Sequence, residues 1–194
     1  MDQETYKDAS VIFFATQDQW EAWLEQHHAD TPGVWLKFAK KGSGIPSLNH
    51  DLALQVALCF GWIDGQTKGI DETYYLQKFT KRRPKGTWSK RNIGFVEELI
   101  KSGKMRPSGQ AEIDAAKADG RWALAYDSPT TMTMPSDFQA ELDKHPAAKT
   151  FYEALNKTNT YAVLLRIQTA KKPETRAVRI QKIITMLEEG KTFH

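Results

Sequence analysis

Residues 59–65 have the sequence Cys-Phe-Gly-Trp-Ile-Asp-Gly, and this stretch decides the fold of the first half of the chain. Before it, Asn49 is a favoured N-cap residue for an apolar helix that we expect to end near Phe60. Gly61 is the residue type that commonly ends a helix, and residues 62–67 have the composition of a strand. The stretch therefore predicts a corner between a buried helix and a strand.

Further strands are predicted on both sides of this corner, at residues 11–14, 34–39 and 73–80. N-cap residues and apolar periodicity predict helices at residues 17–28, 89–104 and 108–120. From residue 136 onward, caps, prolines and an apolar stripe predict only helices, at residues 136–144, 146–155, 158–171 and 173–189. The predicted fold class is α+β, with a small mixed or antiparallel sheet and helices in the N-terminal part and a helical C-terminal part.

The composition is that of a globular protein, since 40% of the 194 residues are apolar and 26% are charged. Residues 128–135 contain two prolines and three threonines, which is typical of a connecting loop. We therefore predict an α+β domain over residues 1–127, a linker at about 128–135, and a helical region over 136–194.

The sequence predicts a cytoplasmic protein without membrane insertion, because no apolar run approaches the roughly 20 residues that cross a bilayer. The polar N-terminus has no pattern of a secretory signal. Cys59 is the only cysteine, which excludes an internal disulfide, and its apolar surroundings predict a small core residue. The five histidines are scattered, and His50 lies alone near a predicted helix start. No metal site and no cofactor is predicted.

Residues 78–91 form a basic segment, with seven basic residues and no acidic one. Without them the chain has 20 basic and 24 acidic residues, a net charge of −4. This asymmetry favours a local anion site over a broad nucleic-acid surface. Arg82 and Arg83 offer forked hydrogen-bond donors that suit carboxylate or phosphate, and Trp88 offers a flat face for stacking. A solvated basic turn is the alternative interpretation of the same segment.

Two further features place Asp64 and a helix start beside the basic segment. Asp64 ends a predicted strand, where it could pair with a nearby arginine or a ligand hydroxyl, and the neighbouring cations would keep it ionised. Ser89 is a plausible N-cap, so the amides that follow it would also favour an anion. Arg82 and Arg83 are expected to be exposed, so that replacing both should leave the protein folded.

Several short motifs resemble the YdeI/OmpD-associated family, also called the bacteriocin-protection family. They are residues 59–65, Tyr75 with Gln77, Arg82-Arg83-Pro84, Trp88-Ser89, Asn92, and the segment Ala170-Lys171-Lys172-Pro173-Glu174-Thr175-Arg176. The similarity extends over roughly residues 20–191. Two positions depart from the family pattern, because Lys78 stands where an arginine is expected and Lys81 where a proline is expected. The resemblance implies a small bacterial cytosolic protein linked to envelope stress or bacteriocin tolerance, and it supplies no reaction.

The leading interpretation is a binding protein for an anionic small molecule or an acidic protein partner. Its predicted ligand-binding residues are Trp62, Asp64, Tyr75, Arg82, Arg83, Trp88, Ser89, Arg91 and Asn92. One alternative is an enzyme in which Asp64 is the acid or base and Arg82 with Arg83 clamps an anion. Another is a nucleic-acid-binding module in which Trp88 and Tyr74 are exposed for stacking.

We predict weak or no binding to duplex DNA at physiological salt, because the acidic remainder of the chain opposes a wide footprint on phosphates. Binding through phosphates alone should weaken with a log–log salt slope of about −0.9 per contact. Fluorescence anisotropy with a labelled duplex at several salt concentrations checks this prediction. A sub-micromolar dissociation constant near physiological salt would contradict it.

Overall fold

The computed structural model describes residues 4–7 and 9–194, and its chain divides into two compact units. The first unit comprises Met1–Gly86 and Asn92–Ala123, and the second comprises Thr87–Arg91 and Leu124–His194. The predicted domain division with a linker at about 128–135 stays a prediction. Each unit is described separately below.

The first unit contains a five-stranded mixed sheet with the strand order β1-β2-β3-β5-β4. The strands are β1 (Thr5–Tyr6), β2 (Ala9–Phe13), β3 (Gly33–Ala39), β4 (Trp62–Gly69) and β5 (Tyr74–Lys81). Strands β2 and β3 are parallel, and the other neighbouring pairs are antiparallel. The predicted α+β class, with its sheet in the N-terminal part, is confirmed.

The described part of the chain before residue 120 contains four helices, α1 (Gln17–His27), α2 (His50–Cys59), α3 (Lys90–Lys101) and α4 (Pro107–Ala118). Thr16 caps α1 with a reciprocal capping box, and the Asn49 side chain accepts a hydrogen bond from the Leu52 amide at 2.9 Å. Trp20 and Leu24 of α1 are fully buried. The predicted N-caps thus fix where α1 and α2 begin.

The corner predicted at residues 59–65 is present, and two glycines make it possible. Gly61 follows α2 with a φ of +74°, a conformation that a side chain would strain. Gly109, in the first turn of α4, lies so close to the end of α2 that an added Cβ would be 2.3 Å from the Cys59 carbonyl oxygen. The first turn of α4 therefore packs backbone to backbone against the last turn of α2.

The second unit contains four helices, α5 (Ser136–Leu142), α6 (Pro146–Glu153), α7 (Lys157–Gln168) and α8 (Pro173–Glu188). The prediction of helices alone after residue 136 is confirmed. Ile180, Ile183, Ile184 and Leu187 of α8 pack in its core with Phe138 and Val163. Ala177, one turn before Ile180, is exposed, so the buried stripe of α8 begins at Ile180. No helix within residues 4–7 and 9–194 has the length and apolar character needed to span a membrane.

We predict that Gly109→Ala destabilises the protein by about 1–3 kcal/mol, because the new methyl group would collide with backbone oxygens that have little room to move. Urea unfolding measures the change. Gly94→Ala is the matched control, because a Cβ at Gly94 of α3 meets nothing within 4 Å and should stabilise the helix by up to about 1 kcal/mol. Equal effects of the two substitutions would contradict the close approach of α4 to α2.

Candidate functional site

The predicted ligand-binding residues are divided between the two units. Trp62, Asp64, Tyr75, Arg82, Arg83 and Asn92 belong to the first unit, whereas Trp88, Ser89 and Arg91 belong to the second. One site that combines all nine residues stays a prediction. Within the first unit, the structure brings together Trp62 and Arg82, which line the same cavity.

This cavity, here called the Arg82 cavity, has a volume of about 380 Å³. Four segments of the first unit supply its walls: the end of α1, the corner after α2, the end of β5, and the first turns of α4. Its lining residues are His28, Ala29, Phe60, Gly61, Trp62, Lys81, Arg82, Ser108 and Glu112.

Backbone and side-chain hydrogen bonds hold the cationic side of the Arg82 cavity in place. The Arg82 amide donates to the Gly61 carbonyl oxygen at 2.9 Å, which continues the pairing of β4 with β5. The Lys81 ammonium group donates to the Ala29 carbonyl oxygen. The Trp62 indole Nε1 donates to the His28 carbonyl oxygen at 3.2 Å. Trp62 therefore forms a rigid wall between the end of α1 and the strand.

The electrostatics of the Arg82 cavity favour an anion only moderately. Lys81 and Arg82 contribute two positive charges, Glu112 contributes one negative charge, and Ser108 contributes a hydroxyl. Arg82 is only 7% exposed, so the expectation that it is a surface residue is wrong. It is buried because strand β5 continues through it against Gly61, whereas Arg83, beyond the strand, is exposed. Ser108 and Glu112 were not singled out by sequence, since they come from a distant helix.

Among the residues that the structure describes, Asp64 pairs with a histidine and not with the expected arginine. Its Oδ2 lies 3.1 Å from His50 Nε2, and His50 Nδ1 lies 3.3 Å from Asp51 Oδ1. The view of His50 as isolated is therefore wrong, because the start of α2 faces the early part of β4. The hydrogen bond to Asp64 raises the pKa of His50 above 6.5, against the opposing effect of burial. The two neighbouring carboxylates favour the cationic form of the imidazole.

Tyr75 lies on the sheet and packs with the core rather than with Arg82. Its ring stacks on Phe38 with the centroids 5.3 Å apart, and partial burial raises the pKa of its phenol. Its neighbour Gln77 donates to the Gly65 carbonyl oxygen at 2.8 Å and accepts from the Thr67 hydroxyl at 2.5 Å. Gln77 thereby bridges the bulge in β4 between Asp64 and Thr67. These contacts are those of a sheet scaffold.

In the second unit, Trp88 is only 1% exposed, and Ser89 is also buried. Ser89 forms an isolated bridge with Tyr126, whose amide donates to the Trp88 carbonyl oxygen at 3.0 Å. A ring this buried offers no open face to a base or sugar, so the stacking expected of Trp88 has no surface on which to occur. Asn92, in the first unit, is buried as well.

Arg91 lines a different cavity, of about 580 Å³, in the second unit. The other lining residues are Lys90, Asp127, Ser128, Pro129, Thr130 and Thr131. Lys90 pairs with Asp127 at 2.7 Å, and this contact, followed by the hydrogen bond from Gln168, lowers the pKa of Asp127. The Asp127 carboxylate thus offsets part of the positive charge of this cavity. The cations of residues 78–91 therefore do not all line the same cavity.

Cys59 is buried, as predicted, and burial raises the pKa of its thiol to about 11. A thiol in that state is a poor nucleophile at neutral pH. Over the residues that the structure describes, no group of three or more His, Cys, Asp or Glu side chains could hold a metal ion.

Residues 12–112, more than half of the chain, match the model of a family described as a domain of unknown function (DUF8412). The chain belongs to the DUF8412 family. All residues that line the Arg82 cavity fall within the DUF8412 match. Residues 131–190 match a second model, described as Bacteriocin-protection, YdeI or OmpD-Associated, which confirms the predicted resemblance over that range. Searches of curated proteins and of solved structures found no significant match.

We predict that Asp64→Asn reduces the pH dependence of stability near neutrality. The raised pKa of His50 means that its stabilising contribution is complete below about pH 6.5 and is lost as the pH rises through the folded-state value. A partly exposed pair of this kind contributes roughly 0.5–1 kcal/mol. Urea unfolding of the wild type between about pH 6 and pH 8 should therefore show a loss of stability that Asp64→Asn diminishes.

The double variant His50→Gln, Asp64→Asn serves as the control and should show no further loss of pH dependence beyond His50→Gln alone. If Asp64→Asn and the wild type lose the same stability between about pH 6 and pH 8, the His50–Asp64 contact is not the source of the pH dependence.

Proposed function

We propose that this protein binds a small anionic ligand in the Arg82 cavity. The observation that carries the proposal is an arginine residue, 7% exposed, that lines a concave cavity beside a second cation. Two cations in the wall of one concave cavity attract an anion, and charges that are partly shielded from solvent are screened less than exposed ones. Arginine offers a planar fork that suits the two oxygens of a carboxylate or phosphate.

The other walls of the Arg82 cavity indicate what the ligand carries besides its anionic group. Phe60 and Trp62 are almost fully buried behind the apolar part of the wall, and Glu112 can accept a hydrogen bond from a hydroxyl or ammonium group of the ligand. The volume of about 380 Å³ is at the small end for ligand pockets. A small organic acid with a hydrogen-bond donor therefore fits this cavity best.

A role in binding is better supported than one in catalysis. The proposed general base, Asp64, has its Oδ2 directed at His50, and Asp64 is not among the residues that line the Arg82 cavity. A role in nucleic-acid binding has less support still, because Lys78 lies over the Trp35 ring and Lys90 pairs with Asp127. Each of these two cations thus already has a partner within its own unit, which weakens what it could contribute to binding a phosphate backbone.

The cellular role proposed here is tolerance of bacteriocins or envelope stress by a cytoplasmic protein. Its support is the match of residues 131–190 to the bacteriocin-protection model. A small-molecule sensor or carrier would fit such a role without any reaction being catalysed.

The test is a titration of the protein with citrate, followed by two-dimensional ¹H–¹⁵N NMR. We expect the amide signals of Gly61, Arg82 and Ser108 to shift with a dissociation constant in the millimolar range or below, and Arg82→Gln to weaken binding about tenfold or more. Arg83→Gln is the matched control, because Arg83 is the adjacent arginine, is exposed, and does not line the cavity.

An equal loss of binding in Arg82→Gln and Arg83→Gln would assign the anion to the exposed basic loop instead of the cavity. The absence of shifts at these three amides with citrate, inorganic phosphate and sulfate would overturn the proposal. The spectrum of Arg82→Gln also shows whether the variant is folded, and Arg82→Lys, which keeps the charge without the fork, provides a milder variant.

A further inference from the structure

Another cationic cavity, distinct from the one lined by Arg91, lies wholly within the second unit and has a volume of about 440 Å³. It lies between the last turns of α7, the middle of α8, and Phe193. Its lining residues are Arg166, Thr169, Arg179, Lys182, Ile183 and Phe193. Three of these six side chains are cationic and none is acidic, so its positive charge exceeds that of the Arg82 cavity.

The two arginines of this α7–α8 cavity are held in place by helix carbonyl groups. Arg179 Nη1 donates to the Arg166 carbonyl oxygen at 2.7 Å and to Thr169 Oγ1 at 3.2 Å. Arg166 Nη1 donates to the Ala162 carbonyl oxygen at 3.0 Å, and its guanidinium lies 3.6 Å from the centre of the Phe193 ring. In both side chains these hydrogen bonds use Nη1. The edge formed by Nε and Nη2 can therefore still donate to another acceptor.

Arg176, one turn earlier on α8, shows what normally fills such an edge. Its Nη1 donates to the Ile167 carbonyl oxygen at 2.8 Å, a bond of the same kind. Its Nε and Nη2 donate to the two carboxylate oxygens of Asp137, at 2.6 and 2.7 Å. Within residues 4–7 and 9–194, no carboxylate lies within 4.0 Å of the charged nitrogens of Arg166, Arg179 or Lys182. At Arg179, no carboxylate of the described residues takes the place that Asp137 has at Arg176.

Attraction to the C-terminal end of α7 accounts for only part of this arrangement. Cations near the last carbonyl groups of a helix are stabilised, which explains the Nη1 bonds of Arg166 and Arg179. It does not explain Lys182, which makes no such bond to α7, nor why three like charges line one cavity without a counter-ion. An anion that binds among the three would relieve their mutual repulsion.

We propose that the α7–α8 cavity binds the phosphate group of a small phosphorylated ligand. The Nε and Nη2 edges of Arg166 and Arg179 would donate to the phosphate oxygens, and Lys182 would neutralise the second charge of the dianion. Ile183 and the Phe193 ring form the apolar side of the cavity, which suits a flat or apolar group attached to the phosphate. This site does not depend on the Arg82 cavity.

The experiment compares inorganic phosphate with phenyl phosphate, by ¹H–¹⁵N NMR and isothermal titration calorimetry on the full chain. Both probes should shift the amide signals of Thr169, Arg179 and Lys182, and phenyl phosphate should bind more tightly because it also covers Phe193. Arg179→Gln and Lys182→Gln should each weaken phenyl phosphate binding by about tenfold.

Lys157→Gln is the matched control, because Lys157 is an exposed lysine at the start of α7, about 13 Å along the helix from Arg166. It should leave the affinity unchanged. Lys182 is exposed, so Lys182→Gln keeps the test decisive if Arg179→Gln fails to fold. Equal affinities of Lys182→Gln and Lys157→Gln, or no shifts at these three amides, would overturn the proposal. Arg82→Gln should leave these shifts intact, which separates this site from the Arg82 cavity.

Discussion

The close approach of the first turn of α4 to the last turn of α2 is the constraint on which the first unit depends. The Arg106 amide donates to the Cys59 carbonyl oxygen at 3.3 Å, and Gly109 leaves no room for a side chain against the same oxygen. Because α4 lies so near, Gly61 must turn with a positive φ below the Ser108 carbonyl oxygen. That turn places the Gly61 carbonyl group where Arg82 pairs with it, so the Arg82 cavity is a consequence of this helix contact.

Two of the chain's six tryptophans connect the elements of the first unit's core. Trp20 packs edge to face with Trp62 and with Phe79, and its indole Nε1 donates to the Ala53 carbonyl oxygen at 3.0 Å. Each such aromatic pair adds about 0.5–1.5 kcal/mol beyond the area that it buries. Trp20 thus links α1 to α2 and to the sheet, while Trp62 links the end of α1 to β4. Both side chains satisfy their polar nitrogen inside the core.

Elements with strong local signals were predictable from the sequence, and contacts between distant elements were not. Asn49 and Thr16 specify helix starts through their own side chains, and the alternation in β3 specifies a strand without help from the rest of the chain. His50 and Asp64 are fourteen residues apart and meet only because α2 folds back along β4. Their local sequence does not indicate that the two side chains are in contact rather than separate on the surface. The burial of Arg82 likewise depends on Gly61, which is distant in the sequence.

The density of charge along the sequence is likewise a weaker guide to a site than the contacts that each charged side chain makes. The seven cations of residues 78–91 lie close together in sequence, yet Arg82 is buried in the first unit and Lys90 pairs with Asp127 in the second. The cations of the α7–α8 cavity are spread over residues 166–182 and interrupted by Glu174, yet helix pairing brings three of them together. Whether an arginine pairs with a carboxylate distinguishes a structural arginine from a candidate ligand-binding one better than the number of cations near it in sequence does. Arg106 has Glu21 and Glu25, Arg121 has Asp119, and Arg176 has Asp137, so these three belong to the scaffold. Arg179 donates to a helix carbonyl group as Arg176 does but has no carboxylate partner among the described residues, and it is there that we propose a phosphate binds.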